Sequence, residues 1–75
     1  MNNKNRRKID NVIVALESIK DDLDYLLDEE SDKRDNYPEN LYNTETYEQI
    51  ETACDNIESS SSLIEEAMSL LEELL

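Results

Sequence analysis

Twenty Asp and Glu against seven Lys and Arg give this 75-residue chain a formal net charge of −13. That sign argues against direct binding to nucleic acid or to an anionic membrane, since both need cations facing phosphate, and it favours solubility or a basic partner. A chain this short makes one small domain, which buries only about 60 % of its unfolded surface, so docking or self-association is the expected way to complete its core.

The absence of Gly, the single Pro and the 36 % of charged residues fit long helices rather than a sheet. All four aromatics are Tyr, which offers no stacking platform for bases. Strict periodicity of the apolar residues argues against disorder, the other outcome for so acidic a composition.

In the first half, Ile9, Leu16 and Leu23 occupy heptad position a, Val12, Ile19 and Leu26 position d, and Ile13 and Leu27 position e. This stripe predicts a helix from about 3 to about 33, with Asn2 or Asn3 able to cap its start. Residues 34–43 break the pattern. Pro38 removes a hydrogen bond and pushes Tyr37 away from helical angles, and the neighbouring Asn residues suit turns. Tyr37, Leu41 and Tyr42 are expected to plug the end of the core.

A second helix is predicted over 44–75, capped by Asn43 or Thr44, with Glu45 and Glu48 placed well against its N-terminal dipole. Its a positions are Ile50, Ile57, Ile64 and Leu71. Its d and e positions are Ala53, Cys54, Ser60, Ser61, Ala67, Met68, Leu74 and Leu75. The middle of this stripe is small and is expected to face bulky Leu and Ile from the first helix. Similar lengths and a short connection predict one all-α domain over 1–75, an antiparallel two-helix hairpin. From Leu63 the stripe widens beyond what one partner helix covers. Self-association through Leu63, Met68, Leu70 and Leu74 into a homodimeric four-helix bundle is therefore expected.

Eleven acidic side chains and no Lys or Arg lie between Asp35 and Leu75. Glu17, Asp21, Asp24 and Asp28 form one track at helical spacing. Glu48, Glu51, Asp55 and Glu58, continued by Glu65, Glu66, Glu72 and Glu73, form another. Neighbours on a track rise by about 5–6 Å, similar to the step between phosphates on a strand. Two such rows could occupy the cationic groove of a nucleic-acid-binding protein. The same carboxylates also serve simply to solvate the outside of a small bundle. Against that plainer reading, like charges at i, i+4 destabilise a helix, and Glu72 and Glu73 oppose the C-terminal dipole.

Lys4, Arg6, Arg7 and Lys8 crowd a helix N-terminus, where cations are unfavourable. A nucleic-acid patch is one reading; in a hairpin they would instead come beside Glu65, Glu66, Glu72 and Glu73, and charge pairing there, within the chain or within a dimer, would make added salt lower the melting temperature. Cys54 has no His to act as a base, so it reads as a small core residue rather than a nucleophile, and no enzyme is expected. The lack of His also removes Glu-x-x-His metal sites, and Asp21-Asp22-Leu23-Asp24 lacks the Gly and the terminal Glu of a calcium loop. No cofactor or metal is expected. The Ser59–Ser62 run reads as small-residue packing plus solvent face, with phosphorylation left open. A lone cysteine fits a reducing compartment. The basic opening is followed by Ile9-Asp10-Asn11-Val12, which is no signal-peptide core, and no apolar run approaches the roughly 20 residues of a membrane span. A cytoplasmic location is expected.

The opening Asn3-Lys4-Asn5-Arg6-Arg7-Lys8-Ile9, the connection Asp35-Asn36-Tyr37-Pro38-Glu39-Asn40-Leu41, and Glu45-Thr46-Tyr47-Glu48 ahead of Ala53 resemble a group of small proteins. These are acidic helical hairpins encoded by phages and mobile elements of Gram-positive bacteria. The resemblance covers nearly the whole chain, departs at Ser59–Ser62, and carries no assigned activity. It implies a context in which small acidic proteins act as inhibitors of host defence or of nucleic-acid enzymes. The function expected is a non-catalytic acidic inhibitor or adaptor, DNA-mimic-like, that occupies a basic surface of a nucleic-acid-handling protein through Asp21, Asp24, Asp28, Glu48, Glu51, Asp55 and Glu58. The alternative is an assembly protein that works through its apolar edge.

Overall fold

In a computed structural model describing all 75 residues, α1 (Asn3–Asp35) and α2 (Glu45–Glu72) pack together, joined by a connection that contains a 3₁₀ turn at Glu39–Leu41. The molecule measures 59 × 15 × 13 Å. Its radius of gyration is 17.2 Å, against about 11 Å for a compact domain of this length. The chain is all-helical, a hairpin drawn out as a rod. Neither helix is long and apolar enough to cross a membrane.

Local chemistry sets the helix ends. Asn2 Oδ1 accepts from Asn5 N–H at 2.8 Å and starts α1. At its other end Lys33 and Arg34 complement the negative dipole. There the Asn36 side-chain amide donates to the Asp32 carbonyl at 2.9 Å. Pro38 opens the 3₁₀ turn with an extended backbone, so α1 continues two residues past the expected limit before proline ends it. Thr44, one of the two expected caps, accepts from Tyr47 N–H at 3.3 Å and donates its hydroxyl to Leu41 O at 2.7 Å.

The end plug differs in membership from expectation. Tyr47, from the first turn of α2, sits at its centre. It stacks on Tyr42 at 4.4 Å between ring centroids and tilts against Tyr37 at 5.3 Å. Leu41 remains substantially exposed. Burial, and then the Glu51 carboxylate, push the Tyr47 phenol above its ordinary pKa.

Two helices share only one seam, and it is narrow. Only Ile13, Cys54, Ser61 and Met68 are buried; Ile9, Leu16, Leu23 and Leu27 of α1 and Ile50, Ile57, Ile64 and Leu71 of α2 are half-buried around them. The seam therefore uses the a and e positions of both helices. Of the three-row stripe expected on α1, the d row is left outside, with Val12, Ile19 and Leu26 46–48 % exposed. The physical reason is width: three apolar rows span more arc than one facing helix covers.

The seam's strength is set by its few buried groups. Ile13→Ala should lower the unfolding free energy by about 2 kcal/mol, the low end for a buried Ile truncation. The neighbouring Val14→Ala, on the exposed side, should stay within about 0.5 kcal/mol. Chemical denaturation of the two variants under the same conditions reads the difference.

Candidate functional site

Viewed from one end, antiparallel helices wind in opposite senses. The flank of α1 that follows its seam in the heptad order then falls on the same face of the hairpin as the corresponding flank of α2. That flank is position b, with f beyond it. On α1 these positions hold Asp10, Glu17, Asp21, Asp24 and Asp28. On α2 they hold Glu48, Glu51, Asp55, Glu58, Glu65 and Glu72. Apart from Glu66 and Glu73, which lie at position c, every residue of the two acidic tracks therefore belongs to one face. All are exposed except Asp24, which is only partly so.

Asp24 turns toward the seam and forms the centre of a polar layer halfway along the rod. Its Oδ2 is 3.0 Å from Lys20 Nζ, and its Oδ1 accepts from the Ser61 hydroxyl at 2.8 Å. The Ser61 bond crosses from one helix to the other and shows that position b of α1 lies beside the α2 seam. The Lys20 hydrogen bond, followed by that from Ser61, holds the Asp24 carboxyl below its ordinary pKa. The same hydrogen bond, with the charges of Asp24 and Glu65, raises Lys20. At Ser61 the small middle of α2 thus meets a carboxylate rather than the bulky apolar side chain expected there. Asp24 is a seam residue first and an acidic-face residue second. Spacing alone placed it on the acidic track; the signal that was missed is that Lys20, four residues earlier, occupies an e position.

The opposite flank, positions d and g, carries an apolar row edged by Asp22 and Glu29 on α1 and by Gln49, Asn56 and Ser60 on α2. That row holds Val12, Ile19 and Leu26 on α1, and Ala53, Ala67, Leu74, Leu63 and Leu70 on α2. Leu63 and Leu70 are 65 % and 60 % exposed. Of the four residues expected to mediate self-association, Leu63, Leu70 and Leu74 lie on this edge. Met68 does not: it is buried between the two helices. The α1 row was not anticipated as part of the edge, because in the sequence it is indistinguishable from the rest of the core stripe.

The basic cluster also behaves differently from expectation. The ion pairs are Lys20–Asp24, Lys33–Glu30 and Arg34–Asp35, all within α1. None joins Lys4, Arg6, Arg7 or Lys8 to Glu65, Glu66, Glu72 or Glu73. Instead Arg6 Nε donates to the Leu74 carbonyl at 3.4 Å, and its guanidinium also reaches Asn3 Oδ1 at 3.2 Å. The cation at the start of α1 compensates the carbonyl end of α2, which has no basic residue in its last turn. No group of three or more Cys, Asp or Glu is arranged to hold a metal ion, and Cys54 is a free, buried thiol.

Two measurements follow. With carboxylate repulsion unrelieved by pairing across the helices, added salt should raise the melting temperature, because it shortens the screening length from about 30 Å at 0.01 M to 3 Å at 1 M; a fall would restore the pairing idea. A carboxyl with depressed pKa contributes stability above its unfolded value, about 3.9, and loses it as pH falls through the lower folded value. The melting-temperature gap between the wild type and Asp24→Asn should accordingly be full at neutral pH and close in that acidic window. No family model, curated protein or solved structure matches the chain.

Proposed function

We propose that this chain is a non-catalytic acidic binding protein, an inhibitor or adaptor that occupies a basic surface of a nucleic-acid-handling protein. The observation that carries the reading is the alignment of two carboxylate rows on one face of a straight rod. A net charge of −13 over 59 Å is one charge per roughly 4.5 Å, nearer the 3.4 Å of a single strand than the 1.7 Å of a duplex. A groove built for single-stranded nucleic acid is thus the better fit among basic surfaces. The resemblance to phage-encoded acidic hairpins points the same way, toward an anti-defence role in a bacterial cytoplasm, where the lone thiol of Cys54 would stay reduced.

A second reading, an assembly subunit, is favoured by the exposed apolar flank. Both readings accommodate a homodimer, and we propose that the hairpin dimerises through this flank as a four-helix bundle. Ionic strength separates the two. Docking through carboxylates weakens steeply with salt, whereas docking through Leu63 and Leu70 does not.

The direct experiment immobilises the chain and captures partners from a bacterial lysate at low salt, then elutes with a salt gradient. Captured proteins should be basic, should elute early, and should be displaced by a single-stranded oligonucleotide. Replacing Glu48, Glu51, Asp55 and Glu58 together with Lys should abolish capture while the helical circular dichroism persists. Capture that survives this reversal would sink the acidic-face reading.

A further inference from the structure

We infer that the second copy lies antiparallel along the apolar flank, about a two-fold axis at Ile19, so that the two acidic faces of the bundle point in opposite directions. This rests on the dimer proposed above and adds its geometry. The chain exposes 5638 Å², whereas a compact monomer of its mass is expected to expose about 4,800 Å². That surplus belongs to the rod shape as a whole; the flank lies on a 59 × 15 Å face, room for the roughly 800 Å² that each partner contributes to a standard interface.

The row on α1 fixes the register. Val12, Ile19 and Leu26 are spaced by seven residues, and Ile19 is the midpoint of the helix Asn3–Asp35. A two-fold at Ile19 sets Ile19 against its own copy and Val12 against the second copy's Leu26, with the two rods overlapping along their full length.

Charge favours the same arrangement. Each open end brings Lys8, at position g, over the other copy's Glu29, also at position g, with Lys4, Asp32 and Glu45 bordering the flank at position c. Rotation about the long axis of the rod would instead gather both basic clusters at one end and both acidic turns at the other.

Sedimentation of the whole chain at high micromolar concentration should give twice the monomer mass of 8.8 kDa. Ile19→Asp should return it to the monomer mass with its helical signal retained. With Cys54→Ser as background, Ile19→Cys should cross-link almost completely on mild oxidation, while Glu17→Cys, on the acidic face, should not. A wild-type chain that sediments as a monomer overturns the inference, as does a dimer indifferent to Ile19→Asp. A dimer in which Ile19→Cys fails to cross-link would overturn the axis. Because no binding partner enters these measurements, they stand or fall separately from the acidic-face reading.

Discussion

A pair of helices can bury one strip each, and the strip between α1 and α2 decides everything else about this molecule. Once the a and e positions of both helices turn inward, the remaining positions have no freedom. The b and f flanks become one acidic surface, and the apolar d rows come together with Leu63 and Leu70 on the other side, where Asp22 and Glu29 border them. A shift of the seam by one heptad position would scatter the carboxylates over both sides of the rod. The segregation of charge is thus a consequence of core register, and no separate device is needed to produce it.

The middle of that seam is polar. Lys20, Asp24 and Ser61 satisfy one another, and no buried side-chain polar atom lacks a partner. Such a layer adds little stability, because desolvation offsets much of the attraction. Its cost is imposed on misaligned pairings: sliding α2 along α1 by one turn would separate Ser61 from Asp24 and bring apolar Ile57 or Ile64 toward the carboxylate. In a two-helix rod with a repeating apolar pattern, few other features resist such slippage. The tyrosine stack of Tyr37, Tyr42 and Tyr47 at the turn and Arg6 on the Leu74 carbonyl at the open end hold the same register from either side.

The open end also shows how unfavourable local charges are accommodated. Cations begin α1 and anions end α2, and each opposes its own helix dipole. Antiparallel packing sets the start of one helix beside the finish of the other, so the cation of Arg6 meets a carbonyl end that lacks any basic residue of its own. The compensation is between a side chain and a backbone terminus. Pairing of carboxylates with ammonium groups across the helices, the arrangement that composition suggests, is not how this end is held.

Periodicity determined the two helices, the break at Pro38 and the acidic tracks, and narrowed the caps to Asn2 or Asn3 and to Asn43 or Thr44, because each depends on residues within a few positions of one another. The division of the α1 stripe was not legible. Val12, Ile19 and Leu26 are as apolar as Ile9, Ile13 and Leu16, and only the facing helix determines which rows it has room to cover. The same holds for Asp24, a carboxylate like its neighbours until Ser61 arrives from 37 residues away, and for Met68, which reads as edge but is enclosed. Local patterning specifies what each helix can bury and display; the choice among those options belongs to the pairing, where width and register are settled by both helices together.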